Sequence, residues 1–415
     1  MPSITRMIVT FLIMASLLAA VEWLAFRLIQ RKWGSLPDWF IIKRWWILVA
    51  ILIWVGFLVN GFMWPTWRVT RPQLLSILSI SFFTVFVPKL ILAGFEFMEL
   101  LRSAAEWGSS TATGSSRPIS RKSFLTDVGL VASGLTFSSF LYGVIWGKYA
   151  YRTEYVRVPI DGLPKVWEGF KMVQISDAHL GSFTQTPKPV LEALKGVSQL
   201  NADVILFTGD LVNTHADEAE PWIPAFSNLS APLGKFSIMG NHDYADYGPF
   251  EESEREMSRK RLREIHQEMG FRLLQNEHVV FERNGSKLVL IGVENWGRGF
   301  RKNGDLPRAM KGSGCETHPT ILMSHDPTHW EEQVMGNQAP IELTLSGHTH
   351  GMQFGIEIPW LGVKWSPSKW RYKRWAGLYS EGTQHLHVNR GFGVLGFHGR
   401  IGMPPEITVL ELHRA

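Results

Sequence analysis

Five short apolar runs in the second half of this 415-residue chain each end in a cluster of polar, cation-binding side chains. Met172 to Ile175 runs into Ser176-Asp177-Ala178-His179, and Val204 to Phe207 into Thr208-Gly209-Asp210. Phe236 to Met239 runs into Gly240-Asn241-His242-Asp243, Ile321 to Met323 into Ser324-His325-Asp326, and Leu343 to Leu345 into Ser346-Gly347-His348-Thr349-His350. The set holds Asp177, Asp210, Asn241, His179, His325, His348 and His350, hard oxygen with imidazole and no sulfur, which suits two divalent ions of Mn, Fe or Zn. An aspartate has two oxygens, so Asp210, the lone acid after a glycine turn, is the natural bridge between two cations. Such a pair can hold both sides of an in-line displacement at phosphorus and make water nucleophilic at neutral pH. Any one of these histidines alone reads as a structural residue, but five repeats of apolar run then ligand, in order, do not.

Runs of three to five apolar residues without alternation are the mark of strands buried on both faces. Side chains just past the carboxyl ends of such strands are where open α/β sheets build their sites. Pro189 to Leu200 and Glu251 to Met269 have helical character, the second charged and amphipathic, and Asn284-Gly285-Ser286 reads as a hairpin turn.

The ordered pattern D-x-H, G-D, G-N-H-D/E, H and G-H-x-H resembles that of the calcineurin-like metallophosphoesterase superfamily, and the resemblance covers roughly residues 155 to 412. It implies a metallophosphoesterase β-sandwich flanked by helices, hence an α/β fold class. Within the superfamily the chain resembles the membrane-associated, twin-arginine-exported phosphodiesterase subgroup, through Gly351, Gln353, the turn Asn389-Arg390-Gly391-Phe392-Gly393, Arg400 and Pro405-Glu406-Ile407. Met352 stands where that subgroup usually has Gly, and Asn295 where it has Asp. The resemblance implies that Asp177, His179, Asp210 and His350 hold one metal and that Asp210, Asn241, His325 and His348 hold the second. His242 becomes the general acid for the leaving oxygen, with Asp243 orienting its imidazole. Arg298, Arg301 and Arg400 are the weaker candidates for substrate contact.

Four apolar stretches precede residue 150, at 8–28, 45–63, 74–95 and 124–146, each long enough to cross a hydrocarbon core of about 30 Å. Trp45, Trp46, Trp64 and Trp67 bracket the second like interfacial belts. Arg27, Arg31, Lys32, Lys43 and Arg44 lie between the first two stretches, and Arg102, Arg117, Arg121 and Lys122 between the last two. The excess of basic residues there predicts that both loops are cytoplasmic and that everything after Trp146 lies outside, in a multi-pass protein of the cytoplasmic (inner) membrane. Glu22, Lys89 and Asp127 are the main polar residues of the spans and read as lying near span ends. Gly108 to Ser123 is predicted to be a flexible linker, and Ser120-Arg121-Lys122-Ser123-Phe124-Leu125 resembles a twin-arginine signal with Lys for the second Arg.

Through Arg157 the chain carries 16 Lys+Arg against 7 Asp+Glu and afterwards 26 against 30, so the net +5 divides into +9 and −4. A downstream region of net negative charge argues against nucleic acid as a partner. The single cysteine, Cys315, rules out an internal disulfide framework and a thiolate metal cluster. Nothing in the sequence calls for an obligate protein partner. The partners implied are a phosphoester substrate, possibly lipid-linked, and the bilayer. The leading reading is a membrane-anchored, dinuclear phosphoesterase acting on phosphodiesters of lipid or envelope origin. A phosphomonoesterase or pyrophosphatase on the same metal core, or a non-catalytic sensor or transport module, are its competitors. Beyond the last His pair, Trp360, Trp365, Trp370, Tyr372 and Trp375 alternate with Lys364, Lys369, Arg371, Lys373 and Arg374. That density suits a bilayer interface. The alternative is a hairpin whose tryptophans pack inward while its basic residues face water.

Overall fold

The computed structural model describes residues 4–113, 120–183, 187–336 and 338–415. Four long helices come first: α1 (Ile4–Trp33), α2 (Trp39–Thr70), α3 (Pro72–Thr113) and α4 (Ser120–Ile145). Each contains a segment long and apolar enough to cross a membrane, at Leu12–Trp33, Trp39–Met63, Pro72–Ala105 and Phe124–Ile145. Large apolar side chains such as Leu17, Trp45, Ile77 and Val131 are exposed on this unit, as lipid-facing surfaces are. The predicted linker differs from what is found: 108–113 continue α3 and 120–123 begin α4, while 114–119 lie outside the described residues. So do the side chains of Arg121 and Lys122, where the export-signal resemblance falls.

Polar contacts tie these helices together. At the end of α1, Arg31 and Arg27 pair with the buried Glu96 of α3, Arg27 at 3.1 Å, and Lys32 meets Asp127 of α4 at 2.5 Å. Glu22 and Lys89, expected near span ends, instead face each other at 2.6 Å in the middle of α1 and α3, both largely buried. Burying a charge in lipid is costly without a partner, and each supplies the other's. Pro88, inside α3, does not end the helix, and its carbonyl accepts from Ser133 Oγ at 3.1 Å.

After Trp146 the chain becomes a sandwich of two six-stranded sheets. The amino-terminal strands are β1 (Arg152–Ile160), β2 (Lys171–Ile175), β3 (Val204–Phe207), β4 (Lys235–Ser237) and β5 (Arg272–Leu273). They are followed by β6 (Glu277–Arg283), β7 (Ser286–Gly292), β8 (Thr320–Met323) and β9 (Leu343–Ser346). A separate hairpin, β10 (Ile356–Ile358) and β11 (Val363–Trp365), precedes β12 (Gly377–Glu381), β13 (Gln384–Val388) and β14 (Glu406–Arg414). The first sheet has the order β1-β14-β2-β3-β4-β5 and the second β12-β13-β9-β8-β7-β6. β2 to β5 pair in parallel, as do β7, β8, β9 and β13. Asn284 and Gly285, both at positive φ, make the predicted turn between β6 and β7.

The apolar runs lack alternation because both faces are covered. In β2 and β3, Met172, Val204 and Leu206 enter the layer between the sheets with Trp167, Leu290, Ile321 and Leu345. Their neighbours Val173, Ile205 and Phe207 pack outward under α5 (Lys188–Ser198), α6 (Ile223–Ser227) and α7 (Glu252–Glu268). His266 of α7 is buried beside Phe207 and Phe271, its Nε2 unpartnered, and burial pushes its pKa down to about 4. The folded state therefore holds it neutral, so the stability it contributes is complete above the unfolded pKa near 6.5 and is lost as pH falls from there toward 4. That loss amounts to about 3 kcal/mol at most, from some two and a half pKa units. His266→Phe is expected to flatten the fall of melting temperature between pH 7 and 5; an unchanged slope would show that other groups set it.

Candidate metal centre

β2, β3 and β4 of one sheet and β8 and β9 of the other deliver their carboxyl-terminal loops to a common edge. The loops are stitched together by backbone bonds: Asp177 N–H to the Gly209 carbonyl at 2.8 Å and Gly347 N–H to the His325 carbonyl at 2.9 Å. Gln174 spans the sheets, donating to Thr208 Oγ1 at 3.0 Å and to the Ser346 carbonyl at 2.9 Å. Both oxygens of Asp177 accept the His348 N–H at 3.0 Å. A Cβ on Gly347 would fall on the Asp177 carboxylate, and one on Gly240 on that of Asp210. These two glycines let loops from different strands touch.

Two groups of side chains converge within the distances a single cation needs: Asp177, His179 and His350, and Asp210, His325 and His348. His179 Nε2 and His350 Nε2 are 3.0 Å apart, and His350 Nε2 is 3.1 Å from Asp177 Oδ1. In the second group His325 Nε2 is 3.0 Å from Asp210 Oδ2 and 3.3 Å from His348 Nδ1. Asp210 Oδ2 also lies 3.6 Å from His179 Nε2, between the two groups. Asp177, His179, Asp210, His348 and His350 all have φ between 43° and 69°. Non-glycine residues avoid that region at a cost of about 1–3 kcal/mol each, so the packed loops hold five donors in strained backbone.

The donor set fits divalent cations. Asn241 gives its Nδ2 to Tyr247 Oη at 2.8 Å, which leaves Oδ1 buried and without a hydrogen-bond partner. His179 has its Nδ1 on Asn213 Oδ1 at 3.1 Å, and His325 has its Nδ1 on the Thr208 carbonyl at 2.7 Å, freeing both Nε2 atoms. Burial alone would raise the Asp177 and Asp210 carboxyls, but the His350 and His325 imidazoles hold them well below the usual range. His325, although buried, is in turn raised to about 10 by Asp210 and Asp177. The cluster draws positive charge to itself.

His348 is aligned from behind, its Nε2 2.8 Å from Tyr372 Oη and 3.4 Å from Asp326 Oδ2. Partners of this kind typically carry a 10–100-fold effect on metal affinity. Tyr372→Phe is therefore expected to weaken metal retention by about that factor, read by chelator competition, with the fold unchanged. Equal affinity in variant and parent would reduce Tyr372 to a packing residue. Neither Tyr372, Asp326 nor Asn213 was singled out for this work in the sequence, although Asp326 follows His325 and Asn213 follows Asp210 by three.

His242 is half-buried beside the cluster. Its Nδ1 lies 2.7 Å from the Asn213 carbonyl, its ring stacks on Tyr247 with centroids 4.2 Å apart, and its N–H donates to Asp210 Oδ1 at 2.8 Å. A carbonyl only accepts, so Nδ1 carries a proton and Nε2 is turned to other partners. The expectation that Asp243 orients this imidazole is corrected: both Asp243 oxygens accept backbone N–H groups, those of Asp210, Leu211, Val212 and Gly240. Asp243 braces the loop that carries Asp210, and Asn213 orients His242.

The three arginine candidates also have other partners. Arg400 is buried and donates to the carbonyls of Arg390, Gly391 and Gly393, while Glu406 pairs with Arg390. Arg298 pairs with Glu332, and Arg301 grips Asp246 through two bonds of 2.9 Å. An exposed cation the sequence placed elsewhere, Arg371, lies over Phe300 and Tyr372, rings that themselves contact His348. Met352 stands at φ 48°, a left-handed backbone that glycine adopts at lower cost.

Comparison with known proteins accounts for both parts of the chain. Residues 5–148 match the family described as "Probable Calcineurin-like phosphoesterase, transmembrane domain", and residues 170–352 match the calcineurin-like phosphoesterase family. A Danio rerio transmembrane protein with metallophosphoesterase domain is 29% identical over 412 residues, covering 94% of this chain and 85% of its own. An uncharacterised metallophosphoesterase of Bacillus subtilis is 28% identical over 71% of this chain and 98% of its own. The UDP-2,3-diacylglucosamine pyrophosphatase of Chlamydia muridarum is 28% identical over 60% of this chain and 86% of its own. With two candidate cation sites at the strand ends and four helices fit to span a membrane, the chain belongs to the calcineurin-like metallophosphoesterases, hydrolases of phosphoester bonds, and carries the family's four-helix transmembrane domain.

Proposed function

We propose that this protein hydrolyses a phosphodiester or phosphoanhydride carried by a lipid, using two divalent cations and His242. The observation that carries the reading is Asp210 Oδ2, placed between His179 and His325 so that one carboxylate serves both donor groups. Asp177, His179, Asp210 and His350 would hold one cation, and Asp210, Asn241, His325 and His348 would hold the other. Cations there supply Lewis acidity toward a phosphoryl oxygen and make water acidic enough to attack near neutral pH. Burial lowers the His242 pKa, so the anionic substrate would have to favour its imidazolium; from that form Nε2 would give its proton to the departing oxygen, leaving the neutral ring with Nδ1–H on the Asn213 carbonyl. Arg371 contacts an outer phosphate oxygen at the rim. The spans supply the membrane attachment that a lipid substrate needs, and the basic residues at the end of α1 and the start of α2, Arg27, Arg31, Lys32, Lys43 and Arg44, favour a hydrolytic domain outside the cytoplasm.

The anhydride form of the reading draws support from the similarity to the UDP-2,3-diacylglucosamine pyrophosphatase. A turnover panel separates the cases: a chromogenic diester, a monoester and a lipid-linked diphosphate, each with Mn, Fe or Zn added back. Turnover of the diester and the lipid-linked diphosphate is expected to exceed that of the monoester; a monoester preference would overturn the proposal. Reporters fused after Trp146 are expected to be active outside the cytoplasm and those fused at 108–116 inside it. Reversal of both would place the hydrolytic domain in the cytoplasm.

A further inference from the structure

The hairpin of β10 and β11 forms a two-stranded sheet of its own, separate among the described residues from both six-stranded sheets, in the register Ile356↔Trp365, Glu357↔Lys364 and Ile358↔Val363. A lone two-stranded hairpin is marginal in water, so its shape must be held from outside. Trp365 is edge-on to Phe354 at 6.2 Å, Glu357 meets Arg390 at 2.9 Å, and Lys364 Nζ donates to the Ala376 carbonyl at 2.6 Å. These contacts fix a scaffold that turns apolar side chains outward. Trp360 is 82% exposed and Trp370 76%, with Ile356, Leu361 and Val363 exposed beside them. The Trp370 ring meets that of Trp365 at 6.0 Å, which makes the patch continuous from the turn to the following segment.

The two readings of this region in the sequence thus divide by residue. Trp375 packs inward and Trp365 is half-buried, while Trp360 and Trp370 point out. Arg374 is engaged by Glu331 and Lys364 by a carbonyl. Lys369, Arg371 and Lys373 remain exposed, and among the described residues none is paired with a carboxylate. An apolar knob with indoles at its tip and cations around it, whose acid Glu357 is engaged by Arg390, has the chemistry of a surface that meets anionic headgroups. A protein partner would be expected to bring acidic groups to satisfy those cations; a chain whose own helices are fit to span a bilayer already has such a surface at hand.

The segment is also built into the metal loop. Ser366 Oγ donates to the Gly351 carbonyl at 2.6 Å, and Tyr372 Oη meets His348 Nε2 at 2.8 Å. We infer that this hairpin and residues 366–373 form a docking element that seats Trp360, Leu361 and Trp370 in the headgroup layer of the bilayer, with Lys369 and Lys373 on anionic lipid phosphates. Docking carries the strand-end cluster to lipid-borne phosphoesters; that consequence rests on the lipid-substrate reading, whereas the docking itself does not.

The test uses the full chain in lipid nanodiscs, with Leu361→Cys carrying an environment-sensitive dye and the native Cys315 left buried. Lipids brominated on the acyl chain are expected to quench the dye, and Trp360→Asp with Trp370→Asp to abolish the quenching. Lys369→Gln and Lys373→Gln are each expected to weaken docking about five-fold on anionic discs, the factor that one charge near such a surface contributes. Turnover of a soluble chromogenic diester should be the same in all of these variants, which shows that the metal site is intact. No quenching in the parent, or quenching that survives the double Asp change, overturns the inference. So does a dye response that follows the number of copies per disc in place of the bromine, since it assigns the face to a second chain. Quenching with no turnover of any lipid substrate keeps the docking and sinks the substrate reading.

Discussion

Asp210→Ala is expected to abolish turnover, beyond the roughly 10⁴-fold that loss of a general acid can account for, and to empty both cation sites. The reason is geometric: Oδ2 sits 3.6 Å from His179 Nε2 and 3.0 Å from His325 Nε2, a closer reach to both groups than that of Asp177 Oδ1, which is 3.1 Å from His350 Nε2 and 4.0 Å from His325 Nε2. The same change removes the acceptor of the His242 N–H and alters a residue held at φ 57°. Asp210→Asn separates these effects, because asparagine tolerates left-handed backbone better than alanine and keeps an oxygen while losing the charge. Metal analysis of both variants, with melting curves to establish the fold, reads the result. Two cations per chain in Asp210→Ala would end the bridging assignment.

His242→Asn is expected to keep its cations and to lose on the order of 10²–10⁴ in turnover, the range a positioned proton donor supplies. The imidazole meets the His179 ring edge-on, its Nδ1 is on the Asn213 carbonyl, and the bond to Asp210 Oδ1 comes from the main-chain N–H that the variant keeps, so its removal leaves the donor atoms in place. Esters whose leaving groups are already good anions need little protonation. The loss should therefore shrink along a series of falling leaving-group pKa and nearly vanish for the best of them. A loss that is constant along the series would make His242 a positioning residue and would leave the departing oxygen to another donor.

The strands and the donors that follow them were legible in the sequence because both are local. An uninterrupted apolar run records burial on two faces, and a ligand one or two residues past its end needs no other information to be placed at a sheet edge. Length and apolarity likewise marked the four spans, though not their ends, since α2 and α3 extend past the apolar window through residues that keep helical geometry in water as well as in lipid. What the sequence left open depends on partners far along the chain. The Glu22–Lys89 pair joins residues 67 apart, Asp243 serves backbone amides some 30 residues before it, and Tyr372 reaches back 24 residues to His348. Arg400 looked available for substrate until the carbonyls of the 390–393 turn claimed its guanidinium. The left-handed backbone at Asp177, His179, Asp210, His348 and His350 has no local signature, because no local preference produces it; only packing of five loops against one another holds it. Composition could say that tryptophan and lysine were dense after residue 359, but which of them face out was decided by the tertiary contacts of Trp365, Lys364 and Arg374, since an amphipathic side chain turns to whichever neighbour the fold brings within reach.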